Sequence, residues 1–203
     1  NAGESLTSGG NNVFIGSRAG ESVTSGTSNV ILGDNAGRSV TTHTSCVFIG
    51  RHAGQNNTSS YGVALGYNAL RATSSTGSIA IGYEALTAAS SGGAHVAIGY
   101  DCLSTVTLAN QITGVGYGCL SAYTGNDSNG RTTALGYQAA NAATTPTDLT
   151  VIGNRAMYTA TTGGSTSTVI GGLAAQSLTT AAEVTAIGYN ALGSVTTGGY
   201  NVA

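Results

Sequence analysis

The sequence predicts an all-β protein, a parallel β-solenoid or β-roll of about eleven coils of 16–20 residues each. Three observations predict it. A short apolar segment ending in Gly recurs eleven times. Its side chains are β-branched or small at fixed positions. The composition also replaces helix formers with residues of turns and strands: 32 Gly, 30 Thr, 22 Ser and 15 Asn, against one Pro, no Trp and only 7% charged residues in 203. Residues of this kind favour strands and turns over helices.

The repeat Gly falls at Gly16, Gly33, Gly50, Gly66, Gly82, Gly99, Gly116, Gly136, Gly153, Gly171 and Gly188, at intervals of 16 to 20 residues. Such a unit is too short for a helical hairpin or a propeller blade. It suits one solenoid coil of two short strands and two turns. Three residues before the Gly stands Val or Ile in the first six units and Thr in the last five, and the residue just before it is Ile, Leu or Val throughout. Three residues after it the chain has Ala, except for Cys102 and Cys119, so a small side chain is required there. The Gly itself fits a corner that needs positive φ or close backbone approach.

Along the chain the units form two blocks of one continuous array. Residues 1–60 carry coils of the type Val13-Phe14-Ile15-Gly16 with a following Ala19-Gly20; residues 61–203 carry Ala-Ile-Gly-Tyr-x-Ala-Leu coils such as Gly66-Tyr67-Asn68-Ala69-Leu70. Leu enters one column where Phe leaves another, a compensation of core volume. The interval before Gly136 holds three extra residues around 123–130, which predicts a protruding loop with Tyr123, Asn126, Asp127 and Asn129 as candidate contacts. Pro146 is expected in a later turn. The ends match the interior, Gly9-Gly10-Asn11-Asn12-Val13 against Gly198-Gly199-Tyr200-Asn201-Val202, as expected of a window within a longer array.

Alternation sends the first and third strand residues to one face and the middle one to the other. The middle residue runs from Phe14 and Ile31 to Val169 and Ala186 and is never polar, so both faces are expected to be buried. One fills the coil; the other calls for a second copy of the chain in a parallel homo-oligomer. An exposed column of single apolar residues is the plainer reading of that face.

All six basic residues are Arg and the net charge is -2, which leaves no electrostatic footprint for nucleic acid or anionic lipid. The apolar runs are too short to span a membrane as a helix. Neither nucleic acid nor membrane is therefore expected as a partner, and no cofactor is expected.

The units Asn12-Val13-Phe14-Ile15-Gly16-Ser17-Arg18-Ala19-Gly20 and Ala186-Ile187-Gly188-Tyr189-Asn190-Ala191-Leu192, with the Thr196–Gly199 spacer, resemble repeats of bacteriophage tail fibres. They are also similar to the head coils of trimeric autotransporter adhesins, which are shorter. The resemblance covers the whole chain. It implies a homotrimer, intertwined or packed as a fibre, on the virion surface or, alternatively, on the bacterial cell surface. Its role would be a structural segment that projects a host-receptor-binding tip and contributes to attachment, with other fibre or virion proteins as neighbours. An ice-binding β-solenoid is a more distant third, suggested by the Thr content and weakened by Thr positions that drift through turns of varying length.

Tyr67, Tyr83, Tyr100, Tyr117, Tyr137 and Tyr189 each follow the repeat Gly, the first four on consecutive coils. They form either an aromatic strip for host glycan or protein, or packing within the column and against a neighbouring chain. Glu84 and Asp101 share a column and invite comparison with a carboxylate pair, but no matched acid or pocket is indicated, and no enzyme activity is expected. Glu4, Glu21 and Arg38 suggest a surface charge ladder. Cys102 and Cys119, on adjacent coils, read as free buried thiols in preference to a disulfide. His43, His52 and His95 form no column, and no Cys/His spacing matches a metal site. Residues 127–130 echo a calcium loop without its distal Glu, and Asn56 and Asn126 begin glycosylation sequons that read more plainly as turns.

Overall fold

The computed structural model describes residues 1–108, 110–125, 131–145, 147–161, 166–180 and 183–203. Asn126, Asp127 and Asn129, the rest of the expected loop tip and Pro146 lie outside the described residues.

The chain is a β-solenoid. Eleven strands of three residues, β1 (Val13–Ile15), β2 (Val30–Leu32), β3 (Val47–Ile49), β4 (Val63–Leu65), β5 (Ile79–Ile81), β6 (Val96–Ile98), β7 (Thr113–Val115), β8 (Thr133–Leu135), β9 (Thr150–Ile152), β10 (Thr168–Ile170) and β11 (Thr185–Ile187), form one parallel sheet in chain order. Every pair is in register by repeat position, as in Val13↔Val30 and Thr168↔Thr185, and the sheet passes from one block to the other without a slip at Val47↔Val63. At the usual inter-strand spacing the ten steps span about 48 Å.

Among the described residues each coil has one strand where two were expected. Outside the sheet the rungs are joined by isolated bridges, such as Thr27↔Thr44 and Ser91↔Leu108, and by single backbone bonds such as Gly20 N–H to Ala36 O at 2.9 Å. The reason is local conformation. The residues two and four after the repeat Gly take left-handed φ, as in Asn68 (54°) and Leu70 (53°), and an extended strand cannot run through them.

The repeat Gly answers to both demands placed on it. Gly50 has φ of 130°, and a Cβ built there would stand 2.6 Å from the Gly66 carbonyl oxygen of the next rung. Neither the dihedral nor the contact admits a side chain.

The middle strand residue points into the coil: Ile31, Phe48, Ala64, Ala97 and Val169 are all fully buried. The small residue after the corner joins them, from Ala19 through Cys102 and Cys119 to Ala174. Leu70, Leu86, Leu103 and Leu120 are buried too, at the left-handed position where the first block has Gly20, Gly37 and Gly54. The expected exchange of volume is thus a contact: Phe48 fills the space that the Leu side chains fill in the following rungs.

Two core columns were hidden by polar residues. From β2 onward the residue before each strand is buried, whether it is Ile112 or Leu149, or Asn29, Ser78, His95, Thr132 or Ser167. Its polar members serve the ladder. Asn29 Oδ1 accepts from the Cys46 backbone N–H at 2.9 Å, and Ser167 Oγ accepts from that of Val184 at 3.0 Å. Seven residues after the Gly lies a second column, Val23, Val40, Asn57, Thr73, Ala89, Val106, Tyr123, Ala143, Ala160 and Leu178. Tyr123, expected in a protruding loop, is therefore a core residue only 1% exposed.

The Thr content is more ordered than the drift expected from turns of varying length. Eight residues after the Gly every coil has Ser or Thr, and at most rungs of that column the side-chain hydroxyl donates to the next rung's backbone, as in Thr107 to Thr124 O at 2.5 Å and Thr179 to Thr196 O at 2.8 Å.

Candidate functional site

The outward face of the sheet carries the first and third strand residues, and the residue after the repeat Gly continues the same alternation. On this face Ile49 is 37% and Leu135 43% exposed, most of the other interior residues are half-buried, and Thr takes the first position from β7 onward, so the chain alone buries the inner face fully and the outer face only in part. Beside this strip, corner by corner, stand the tyrosines.

Tyr67, Tyr83, Tyr100, Tyr117 and Tyr137 form a continuous stack. Successive ring centroids lie 5.2, 4.8, 4.9 and 5.3 Å apart, with interplanar angles of 7° to 19°. The spacing follows from the in-register rungs, since one Tyr per rung at one column places rings at the inter-strand distance. One end is closed by the first block: the Arg51 guanidinium carbon lies 5.9 Å from the Tyr67 ring centroid and the His52 imidazole meets the ring edge-on at 6.0 Å. Ring faces inside the stack are taken by neighbouring rings. Only ring edges and hydroxyls face outward there, so a flat ligand such as a sugar has no ring face to lie on within the stack.

Tyr189 is separate. The two rungs between it and Tyr137 have Asn154 and Gly172 at the tyrosine position, and Tyr189 is 79% exposed. The expected six-residue strip is therefore five stacked rings, a gap, and one isolated ring.

Glu84 and Asp101 sit at left-handed corners (φ 53° and 55°) of successive rungs. Glu84 Oε1 accepts from Asn68 Nδ2 at 3.2 Å, and its negative charge pushes the neighbouring Tyr83 hydroxyl above its ordinary pKa, with lesser contributions from desolvation and the adjoining tyrosines. The pair flanks the stack. The charge ladder forms between Arg38 Nε and Glu21 Oε2 at 2.8 Å, while Glu4 pairs with the Asn1 amino group at 3.1 Å.

Cys46, Cys102 and Cys119 are free and buried. The Cys102 thiol is held well above its ordinary pKa by a hydrogen bond with Cys119 and by burial, and burial raises Cys46 as well. His43 is buried, and desolvation pushes its imidazole below the ordinary value, partly offset by the backbone of Thr58 and Asn57. Among the described residues no three of His, Cys, Asp and Glu gather as metal ligands, and no helix is long and apolar enough to cross a membrane.

Tyr123 and the hydroxyl column escaped the sequence reading. Both were within reach of it, because they keep fixed distances after the repeat Gly: the variation in coil length falls between the hydroxyl column and the next strand. Compared with protein-family models, with curated proteins and with solved structures, the chain matches none.

Proposed function

We propose that this chain is a rod-like structural segment of a homotrimeric fibre of the bacteriophage tail-fibre type, carrying a host-receptor-binding tip away from the virion and contributing to attachment. The observation that supports this reading is the outer face of the sheet, which the chain alone covers only in part. One aliphatic side chain per rung, joined by a second on β1–β6 and by Thr on β7–β11, makes a continuous half-buried strip of roughly 10 by 50 Å, the kind of ladder a second copy can cover. A second copy in the same register meets it with the same ladder, and three copies around an axis cover all three strips. Stability then rises rung by rung, as in other solenoids, and no catalytic group is needed.

Solution mass tests the reading. Sedimentation equilibrium at micromolar concentration is expected to give three times the 19.9 kDa chain mass. Ile98→Asp, which places a charge on the strip, is expected to shift the mass toward the single chain while the β-signature of circular dichroism persists. A monomeric parent protein would overturn the proposal.

A further inference from the structure

Cys102 and Cys119 stand at the small-residue column, three after the repeat Gly, where the other nine rungs have Ala. Both side chains are fully buried. The two rungs are joined beside the thiols, the Leu103 backbone N–H donating to the Cys119 carbonyl at 3.1 Å. At the ordinary rung spacing the two Cα atoms are about 4.8 Å apart along the axis. The thiols are hydrogen-bonded to each other, and they point the same way. Cys102 Sγ lies against Gly114, and Cys119 Sγ lies 3.3 Å from the carbonyl oxygen of Ala134, the residue that takes the place of Gly114 one rung on.

Gly114 shows that the core is built around this pair. It is the one glycine among the eleven inward strand residues, and the rungs on either side have Ala97 and Ala134 there. A Cβ at Gly114 would stand 2.9 Å from Cys102 Sγ and 3.3 Å from Leu103 Cδ1. A methyl group has been given up beside the sulfur, at a strand position that glycine weakens. Cys46 offers the contrast. It is equally buried, but its sulfur faces the carbonyls of Thr44 and Ser59 at 3.7 and 3.8 Å, and the other two cysteines lie three or more rungs away.

Two sulfurs stacked in this manner fit few kinds of chemistry. A disulfide needs its two Cβ atoms turned by about 90° about the S–S axis, and side chains that run parallel from successive rungs have almost no such turn. Zinc needs four donors, and among the described residues no third His, Cys, Asp or Glu joins the pair. A two-coordinate ion is different. Two metal–thiolate bonds of about 2.3 Å placed end to end separate the sulfurs by about 4.6 Å, close to the rung spacing, with each bond roughly at right angles to its Cβ–Sγ bond.

We infer that Cys102 and Cys119 form a linear dithiolate site for one soft, two-coordinate cation of the Cu(I) and Ag(I) class, bridging two rungs inside the coil. The ion takes the place of thiol protons, which leave to solvent. The site lies within one coil stack and stands for a single copy of the chain as for several.

The test uses silver(I), titrated into the full chain in nitrate buffer against a monothiol competitor, with bound metal read by equilibrium dialysis and by the silver–thiolate absorption. One ion per chain is expected to be held against the competitor, with a rise in the thermal midpoint. Cys102→Ala and Cys119→Ala each restore the residue of the other rungs, so the fold is kept. Each is expected to weaken retention by about a hundredfold or more, because one donor replaces two. Cys46→Ala is expected to change nothing. Gly114→Ala keeps all three thiols but sets a methyl group against Cys102 Sγ, and is expected to lower affinity by about tenfold. Absence of silver held against the competitor overturns the site. So does full retention in Cys102→Ala, or loss in Cys46→Ala, either of which places the ion on a single thiol.

Discussion

Phe48 and Gly54 occupy one volume: a Cβ on Gly54 would lie 2.6 Å from both Cγ and Cδ2 of Phe48. In the next coil the same two positions hold Ala64 and Leu70, both fully buried, and Leu70 keeps the left-handed φ of 53° that Gly54 has at 58°. The two blocks are alternative solutions to one packing problem. Phe48→Ala alone is expected to cost about 3–5 kcal/mol through the cavity it leaves. Gly54→Leu alone should cost about 2–4 kcal/mol from overpacking and left-handed backbone strain. The double variant should be less destabilised than the sum by about 1–3 kcal/mol, because it rebuilds the second coil type. Chemical denaturation of the four proteins completes the cycle, and additivity would show that the pair does not share the space.

Gly50→Ala is expected to be damaging out of proportion to its size. It places a side chain at φ 130° and against the Gly66 carbonyl, with a cost of about 3 kcal/mol or more from backbone strain and contact together. Gly77→Ala provides the contrast. Its φ of 69° is also left-handed, but no neighbouring atom lies within 4 Å, so only about 1 kcal/mol is at stake. Thermal denaturation of the two single variants ranks them.

Acid should loosen the rungs around His43. Its folded pKa is lowered by burial, so the unfolded chain takes up the proton first. This contribution to stability is complete above the unfolded value of about 6.5, declines as pH falls through it, and stops changing once the folded imidazole is also charged. A denaturation series from neutral to mildly acidic pH is expected to show the decline, and His43→Leu to flatten it. An unchanged slope in that variant would assign the acid sensitivity elsewhere.

The three thiols are expected to resist a water-soluble disulfide reagent in the native protein and to react together on unfolding. All are buried, and Cys46 and Cys102 are held above their ordinary pKa, which keeps the nucleophilic thiolate scarce. Rapid native labelling of Cys102 would contradict the placement of its column in the core.

No thermal hysteresis is expected in a freezing assay. Most Thr and Ser hydroxyls at the regular column donate to backbone carbonyls of the next rung, as Thr24 does to Thr41 O at 3.3 Å, so most of their protons are spent within the solenoid. Hysteresis would show that the oxygen lone pairs and methyl groups of the column suffice to order water.

The strand sheet was legible in the sequence because its rules are absolute: a Gly that tolerates no Cβ, and period-two alternation beside it. The other side of the coil was less so. Its inward residues include Asn29, Ser78 and Ser167, whose polarity suggests a turn. They are admitted to the core because each accepts a backbone N–H that the rung geometry would otherwise leave unpaired, or stands beside one that does. Leu70 and Leu86 at left-handed φ likewise defy local preference, which packing overrides at about 1 kcal/mol each. Tyr123 lies next to an insertion that suggests a loop, whereas its distance from Gly116 marks it as core. The tyrosine column was legible as a column. That its rings close on one another depends on spacing and tilt that only coordinates supply.

The hydrogen bonds between rungs run along the long axis, and each rung hands its load to the next through the same few bonds. Tension applied to the two ends of a single chain therefore falls on one interface at a time and peels coils off sequentially at low force. Compression and bending meet instead the close contact of glycine corners, which cannot yield without moving backbone through backbone. A lone solenoid of this kind is a strut and a poor tether; bundling it with parallel copies, whose side chains must shear past one another before any rung can open, converts it into a cable.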